Sequence, residues 1–308
     1  MNRRDLLKVL GASTASTFLP ATSEARTTYQ PAASFRYCLN MATIRGQNLG
    51  LVKELEVAAK AGFSGVEIWI DTLQSYLAKG GTLSDAKKRL DDLGITVENC
   101  IGFAPWIIDD EAKRKAGLEQ MKREMEMLSQ IGCRRTAAPP VGATNLPQLD
   151  LKLVAERYRA ALEVGDKTGV VPQLEMWGFS KNLSKVSEVM FVALESGHSS
   201  AKVLLDIFHL YKGGSSVETL SLINNSAIDI FHLNDYPANV TREAITDADR
   251  IYPGNGVAPV KDILRKLASP TKPLIISVEV FNKDYYKQDA LEVAKTALSK
   301  MKAVTAEV

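Results

Sequence analysis

From residue 35 onward, short apolar runs alternate with longer stretches in which apolar residues recur every three or four positions. The short runs have the length and composition of buried strands, and the longer stretches have the period of amphipathic helices. Gly62, Gly132 and Gly169 each stand between a helical stretch and the next run, where helices commonly end in a left-handed residue. The strand-like runs occupy residues 35–41, 64–70, 95–101, 133–139, 170–176, 201–207, 227–233 and 274–280.

This alternation predicts the fold class. Eight strands, each followed by a helical stretch, are typical of an α/β protein with a (β/α)₈ TIM barrel, here a single domain over residues 35–308. The main competitor is a doubly wound open sheet. Such a sheet often carries a G-x-G-x-x-G turn after an early strand, and no such turn occurs in this sequence.

The first 25 residues do not follow the barrel pattern. They begin with Arg3-Arg4, continue through a stretch rich in Ala, Ser and Thr, and end in Ser23-Glu24-Ala25. These features predict a twin-arginine export signal over residues 1–25, a linker over 26–34, and a periplasmic or extracellular location. An amphipathic N-terminal helix is the alternative. The apolar part is too short for a membrane span.

Composition and charge narrow the classes of partner. Of the 308 residues, 45% are hydrophobic and 24% charged, and the formal net charge is +2. This balance gives no basic field of the size that nucleic-acid binding requires. The three cysteines, Cys38, Cys100 and Cys133, lie far apart in or beside apolar runs, so we expect buried thiols and no disulfide framework.

Four of the predicted strands end in a potential metal ligand. Strand five ends at Glu175, strand six at Asp206, strand seven at His232 and strand eight at Glu279. In this fold, functional residues lie at the C-terminal ends of the strands, so the four side chains are expected to converge on one mouth. Each residue alone has an ordinary structural explanation as a solvated carboxylate or a satisfied core histidine. Their recurrence on four successive strands favours a common site.

Three carboxylates buried together repel one another and are costly to desolvate, and a divalent cation removes both problems. The set of three carboxylates and one imidazole predicts one bound ion, with Mn²⁺ as first choice and Mg²⁺, Co²⁺ or Zn²⁺ as alternatives. A structural zinc site would favour cysteine or more histidine.

The order of these residues, together with the Asp206-x-x-His209 spacing and Arg250, resembles the sugar phosphate isomerase/epimerase family with the xylose-isomerase-like barrel. Ketose 3-epimerases, hydroxypyruvate isomerase and inosose dehydratase belong to that group. The resemblance covers essentially the whole chain after the signal. It implies that Glu175, Asp206, His232 and Glu279 bind the metal and that the two glutamates exchange protons with the substrate. It also implies that His209 and Arg250 contact substrate oxygens, with His209 next to the reacting centre.

The sequence departs from the simpler epimerases after strand seven. A long loop separates His232 from Arg250, so the arginine is placed by its Arg-x-x-Pro-Gly-x-Gly context, and Arg242 is an alternative. The loop is either a lid over the substrate or a surface excursion. Glu67 and Trp106, which lie near the ends of strands two and three, are further candidates for substrate contact. Trp106 is preferred over Trp69 and Trp177 as the stacking residue.

The predicted activity is that of a divalent-metal-dependent sugar isomerase or epimerase, which moves a proton next to a carbonyl through an enediolate. A lyase or dehydratase acting on a keto-sugar or inosose through the same site is the first alternative. A non-catalytic sugar-binding barrel is the second. The expected partner is a small sugar or keto-sugar, with no nucleic acid and no membrane span once the signal is removed; a homo-oligomer is left open.

Overall fold

The computed structural model describes residues 34–308, so the predicted export signal and nearly all of the predicted linker lie outside the described residues. Eight parallel strands pair in chain order, and the first pairs with the last, which closes the barrel. Closure excludes the open sheet and confirms the predicted TIM barrel. The strands are β1 (Phe35–Asn40), β2 (Gly65–Trp69), β3 (Thr96–Ile101), β4 (Arg135–Ala138), β5 (Val171–Glu175), β6 (Val203–Asp206), β7 (Ile230–Leu233) and β8 (Leu274–Val278).

Nine α-helices connect or follow these strands in the part of the chain that the structure describes. Gly62 and Gly169 end two of them in the left-handed conformation, with φ of 96° and 72°, and Gly132 follows a third with φ of 83°. The helices are α1 (Leu51–Ala61), α2 (Ile70–Ala78), α3 (Leu83–Leu93), α4 (Glu111–Gln130), α5 (Leu151–Thr168), α6 (Val186–Glu195), α7 (Ile207–Gly213), α8 (Val260–Leu267) and α9 (Ala290–Thr305). None of the helices between residues 34 and 308 is both long and apolar enough to cross a membrane.

The barrel interior changes from apolar to polar along the strands. A small apolar cluster that includes Cys38, Leu204 and Ile230 fills one level of the interior. Side chains two positions apart on a strand share a face. The next inward positions after Leu204 and Ile230 are therefore Asp206 and His232, so the alternation directs both toward the mouth. The three cysteines are buried and free, as predicted.

The long loop after β7 folds back onto the barrel. Asp235 pairs with Ile251 in a short antiparallel bridge, and the Asp235 carboxylate accepts hydrogen bonds from the backbone N–H groups of Gly254 and Gly256 at 3.0 and 2.9 Å. A Cβ atom at residue 256 would lie 2.1 Å from the carbonyl oxygen of Tyr236, so this close approach requires glycine. The loop thereby returns the segment around residue 250 to the mouth.

Candidate metal centre

Three of the four predicted ligands form a tight group at the C-terminal end of the barrel. Asp206 and His232 are paired in register on β6 and β7, and Glu279 directly follows β8. One ligand atom from each of these three side chains lies within 4.8 Å of the others, and all three are buried. Glu175 is not part of this tight group but lines the same cavity as Glu279.

The orientation of His232 suits a metal ligand. Its Nδ1 atom lies 3.2 Å from Glu279 Oε2 and 3.7 Å from Asp206 Oδ2. Nδ1 is buried and has no hydrogen-bond partner among the described residues. Burial alone would lower the pKa of His232, but the Glu279 and Glu67 carboxylates raise it well above its usual value. An imidazole nitrogen beside two carboxylate oxygens fits a divalent cation such as Mn²⁺ or Zn²⁺, which would take the place of the Nδ1 proton.

Arg250 supplies positive charge to this group. Its Nη1 atom donates to Asp206 Oδ2 at 2.8 Å and to Glu279 Oε2 at 2.7 Å, and Nη2 donates to Asp247 Oδ1 at 2.5 Å. The guanidinium is 1% exposed, and Asp206 and Glu279 are also buried, so these two contacts are shielded from water. Burial would raise the pKa of Glu279, but His232 and Arg250 together lower it. The exposed alternative, Arg242, is paired with Glu243 outside the mouth.

Glu175 has a different environment from Glu279. It is 5% exposed, and its Oε2 atom is buried without a partner among residues 34–308. Burial, reinforced by the charge of Glu279, raises the pKa of Glu175 to about 8. An unpaired buried carboxylate is costly, so the group is protonated near neutral pH, and a cation or a donor on a ligand would favour its ionised form. Its environment is therefore consistent with either the ligand or the proton-transfer role expected for it.

The Asp206-x-x-His209 spacing has a local structural cause. Asp206 is the N-cap of α7, and its Oδ1 accepts a hydrogen bond from the His209 backbone N–H at 3.1 Å. The cap turns the chain so that His209 lines the cavity. Arg250 Nη2 lies 3.2 Å from His209 Nε2, and because arginine only donates, Nε2 is the acceptor. Burial and the nearby arginine lower the pKa of His209 to about 3, so the ring is neutral and carries its proton on Nδ1.

Glu67 and Trp106 do not lie at the cavity. Glu67 is completely buried and contacts His232, Asn40 and Asn99. Trp106 is also completely buried, and its indole N–H donates to the Pro139 carbonyl at 2.9 Å. Neither side chain is among those that line the space above the metal ligands.

Instead, other aromatic rings surround the mouth. Trp69 lies between Phe103 and Phe281, with ring centroids 5.3 and 6.1 Å away, and Trp177 lies 6.4 Å from Phe103 and 5.3 Å from Phe179. We call these five residues the aromatic collar. The collar and the polar residues below it enclose a cavity of about 220 Å³. The phenylalanines were not predicted, although each follows a strand end closely enough for that position to have been a signal.

Asp247 was also missed. It lies on a short 3₁₀ segment of the loop after β7, lines the cavity and binds Arg250. Nothing in its spacing from His232 distinguishes it from the other acidic residues of that loop. The loop therefore contributes two side chains, Asp247 and Arg250, to the site.

Comparison with known proteins agrees with this fold. The model of the xylose isomerase-like TIM barrel family matches residues 55–304. The chain belongs to that family. Within it, the inosose isomerase of Bacillus velezensis is 27% identical over 281 residues, which span 88% of this chain and 98% of that protein. The 3-dehydroshikimate dehydratase of Pseudomonas putida is 22% identical over 240 residues, 75% of this chain but only 36% of the dehydratase.

A solved structure also resembles the chain. The IOLI protein, crystallised with a bound zinc atom, superposes with a TM-score of 0.81 at 24% identity and covers 89% of this chain and 99% of its own. At this identity the superposition establishes the shared fold. Proteins similar to this chain thus include an isomerase and a dehydratase, and the present chain carries a candidate metal site in its barrel mouth.

Proposed function

We propose that this protein is a divalent-metal-dependent isomerase or epimerase acting on an uncharged keto-polyol or keto-sugar. The observation that carries the proposal is the convergence of Asp206, His232 and Glu279 within 4.8 Å, with the Nδ1 atom of His232 left without a partner. Glu175 would complete the ligand set from the neighbouring strand. A divalent cation held there would act as a Lewis acid, making the C–H bond beside a substrate carbonyl more acidic.

The side chains of the site provide the remaining chemistry. Either Glu175 or Glu279 removes the proton next to the carbonyl, and the other returns it. Return to the same carbon gives epimerisation, and return to the neighbouring carbon gives aldose–ketose isomerisation. The Nδ1–H group of His209 is a donor without a partner among the described residues, so it is available to the oxygen on which negative charge develops. The aromatic collar packs on the C–H surface of the substrate ring.

The charges of the cavity favour a substrate without phosphate. Among the described residues that line the cavity, Arg250 is the one arginine or lysine, whereas Glu175, Asp247 and Glu279 are acidic. Arg250 is already bound to Asp206, Asp247 and Glu279. A phosphate group would therefore meet carboxylates without a free arginine or lysine side chain to bind it.

Solvent exchange tests this proposal. We expect the manganese-loaded protein in deuterated water to incorporate deuterium at a carbon next to the carbonyl of an inosose or a neutral ketohexose. The phosphate ester of the same ketose should exchange far more slowly. Glu175→Gln and Glu279→Gln should abolish exchange, whereas His198→Gln, at a histidine paired with Asp166 away from the cavity, should not. Absence of exchange across a broad panel of neutral ketoses, with metal bound, would refute the activity.

Dehydration is the second candidate, and the similarity to 3-dehydroshikimate dehydratase favours considering it. One glutamate would remove the proton next to the carbonyl, the electron pair would form a carbon–carbon double bond, and the β-hydroxyl would leave as water after taking a proton from the other, protonated glutamate. Mass spectrometry of the product separates the two reactions, because isomerisation conserves mass and dehydration removes one water. Calorimetric binding of a ketose without exchange or mass change would instead favour a sugar-binding barrel.

A further inference from the structure

Glu67 contacts the imidazole nitrogen of His232 that faces away from the candidate metal. Glu67 Oε1 lies 3.0 Å from His232 Nε2, and both side chains are completely buried. We propose that Glu67 is a positioning residue: it holds His232 with its proton on Nε2, so that the lone pair of Nδ1 is presented to the cation. The inference rests on the proposed metal function and assigns Glu67 a role other than the substrate contact expected from its sequence position.

The Glu67 carboxylate is itself fixed from two further directions. Its Oε2 atom accepts a hydrogen bond from Asn40 Nδ2 at 3.0 Å, and its Oε1 atom accepts one from Asn99 Nδ2 at 2.8 Å. Asn40 is held in turn by the Trp69 indole N–H, which donates to Asn40 Oδ1 at 3.1 Å, and Asn99 Oδ1 accepts from Gln173 at 3.3 Å. The carboxylate therefore has no freedom to turn away from the imidazole.

The direction of the contact follows from chemistry. An ionised carboxylate only accepts hydrogen bonds, so the ring nitrogen that faces it must donate. The imidazole of a metal-bound histidine is neutral and has a single N–H group. With that group on Nε2, the lone pair of Nδ1 points toward Asp206 and Glu279, at the distances of 3.7 and 3.2 Å given above. The opposite tautomer would place an N–H group among the metal ligands and leave no nitrogen lone pair there for the ion.

The same network restrains a second candidate ligand. Asn40 Nδ2 also donates to Glu279 Oε1 at 3.0 Å, which leaves Glu279 Oε2 as the atom closest to His232 Nδ1 and Arg250. Carboxylates that accept the outer N–H of a metal-bound histidine typically contribute about 10–100-fold in metal affinity. Glu67 is therefore expected to act on the metal without touching it or the substrate.

The first experiment is a calorimetric zinc titration of the full-length protein, of Glu67→Gln and of Glu67→Leu. We expect Kd for zinc to rise about 10-fold or more in Glu67→Leu. A smaller rise is expected in Glu67→Gln, which keeps an acceptor oxygen. Glu98→Gln is the matched control, because Glu98 is a buried glutamate on β3 whose partners are Arg36 and Arg135. Its zinc affinity should equal that of the parent.

The outcomes separate this inference from the proposed function. Zinc binding by the parent with unchanged Kd in both Glu67 variants would overturn the positioning role alone. A parent that binds neither zinc nor manganese would overturn the metal function and the positioning role together. Loss of affinity in the Glu98→Gln control to the same extent as in the Glu67 variants would show a general effect of a buried charge and would also overturn the role.

A second measurement does not depend on the Glu67 variants folding. The chain has only three histidines, so ¹⁵N-edited spectra of the imidazole groups are simple, and His232→Gln assigns the relevant signals. On addition of zinc to the parent, we expect His232 Nε2 to carry the proton and Nδ1 to show the shift of metal coordination. A proton on Nδ1, or coordination through Nε2, would overturn the inference.

Discussion

Substitution of Arg250 by methionine tests the charge balance of the candidate centre. The guanidinium is 1% exposed and is bound to Asp206 at 2.8 Å and Glu279 at 2.7 Å, both of which are also buried. Removal of one partner from a buried ion pair typically costs about 3–5 kcal/mol, because the remaining charge is left uncompensated. Arg250→Met should therefore lower the free energy of unfolding of the metal-free protein by about that amount.

A bound cation should reverse much of this loss. It would sit beside the same carboxylate oxygens, and in the variant it would meet no competition from the guanidinium. A ligand present at 100 times its Kd stabilises the folded state by about 2.7 kcal/mol, and tighter binding in the variant would increase this gain at equal metal concentration. Manganese should thus stabilise Arg250→Met more than it stabilises the parent.

Urea unfolding, followed by circular dichroism with EDTA and then with excess Mn²⁺, measures both effects. Arg242→Met is the control, since Arg242 is 52% exposed and its pairing with Glu243 at 3.5 Å is a surface contact. Such surface contacts contribute about 0–1 kcal/mol to the free energy of unfolding, and this contribution should not change on addition of manganese. The reasoning would be refuted if Arg250→Met lost the same free energy of unfolding with and without metal, or lost none in EDTA. Either result would mean that the arginine and the cation do not interact with the same carboxylates.

Three further changes have defined outcomes. Glu54 on α1 is 4% exposed, and burial raises its pKa to about 7, so the fold favours the protonated form and loses stability as the pH rises from about 4.5 to 7. The stability of Glu54→Gln relative to the parent should therefore increase by roughly 3 kcal/mol between pH 4.5 and 8 in urea titrations, and a difference that does not change with pH would contradict this. Trp177→Ala should weaken binding of a neutral keto-sugar by about 0.5–1.5 kcal/mol in addition to the effect of the lost apolar contact area. The change is measured as an increase in the calorimetric Kd, and equal Kd values would contradict the role of the aromatic collar. In Gly178→Ala the new Cβ would lie 2.4 Å from the carbonyl oxygen of His209, so a loss of about 1–3 kcal/mol in unfolding free energy is expected, and a fully stable variant would contradict this packing.

The strands and the residues at their ends were predictable because they follow from the alternation of inward and outward side chains along each strand. The apolar run before Asp206 and the run before His232 each have a period that assigns an inward face, and parallel pairing places both residues at the same level. The barrel follows from repetition of the same unit. The local pattern explained Asp206 only as a metal ligand at a strand end. The structure shows that Asp206 is also the N-cap of α7.

The sequence pattern does not predict which side chains from different strands contact each other in the closed barrel. Glu67 and Trp106 both follow the rule of polar or aromatic residues near strand ends, but one contacts His232 across the barrel and the other packs into the wall. Trp69 was ranked below Trp106, although it meets Phe281 from the far end of the chain. Such pairings are set by the curvature of the closed sheet, which periodicity does not encode.

The pairing of β1 with β8, which closes the barrel, connects the assembly of this site with the order in which the chain folds. Every candidate metal ligand comes from the second half of the chain, yet Asn40, on the first strand, donates to Glu279 across a separation of 239 residues. Contacts so distant in sequence carry the greatest loop-closure entropy and form slowly. Glu279 is also synthesised after every other candidate ligand, so a partial barrel without β8 lacks the last ligand and its contact with Asn40. If the proposed site binds a cation, capture by the full ligand set would therefore require the ring to be complete, with its first and last strands paired.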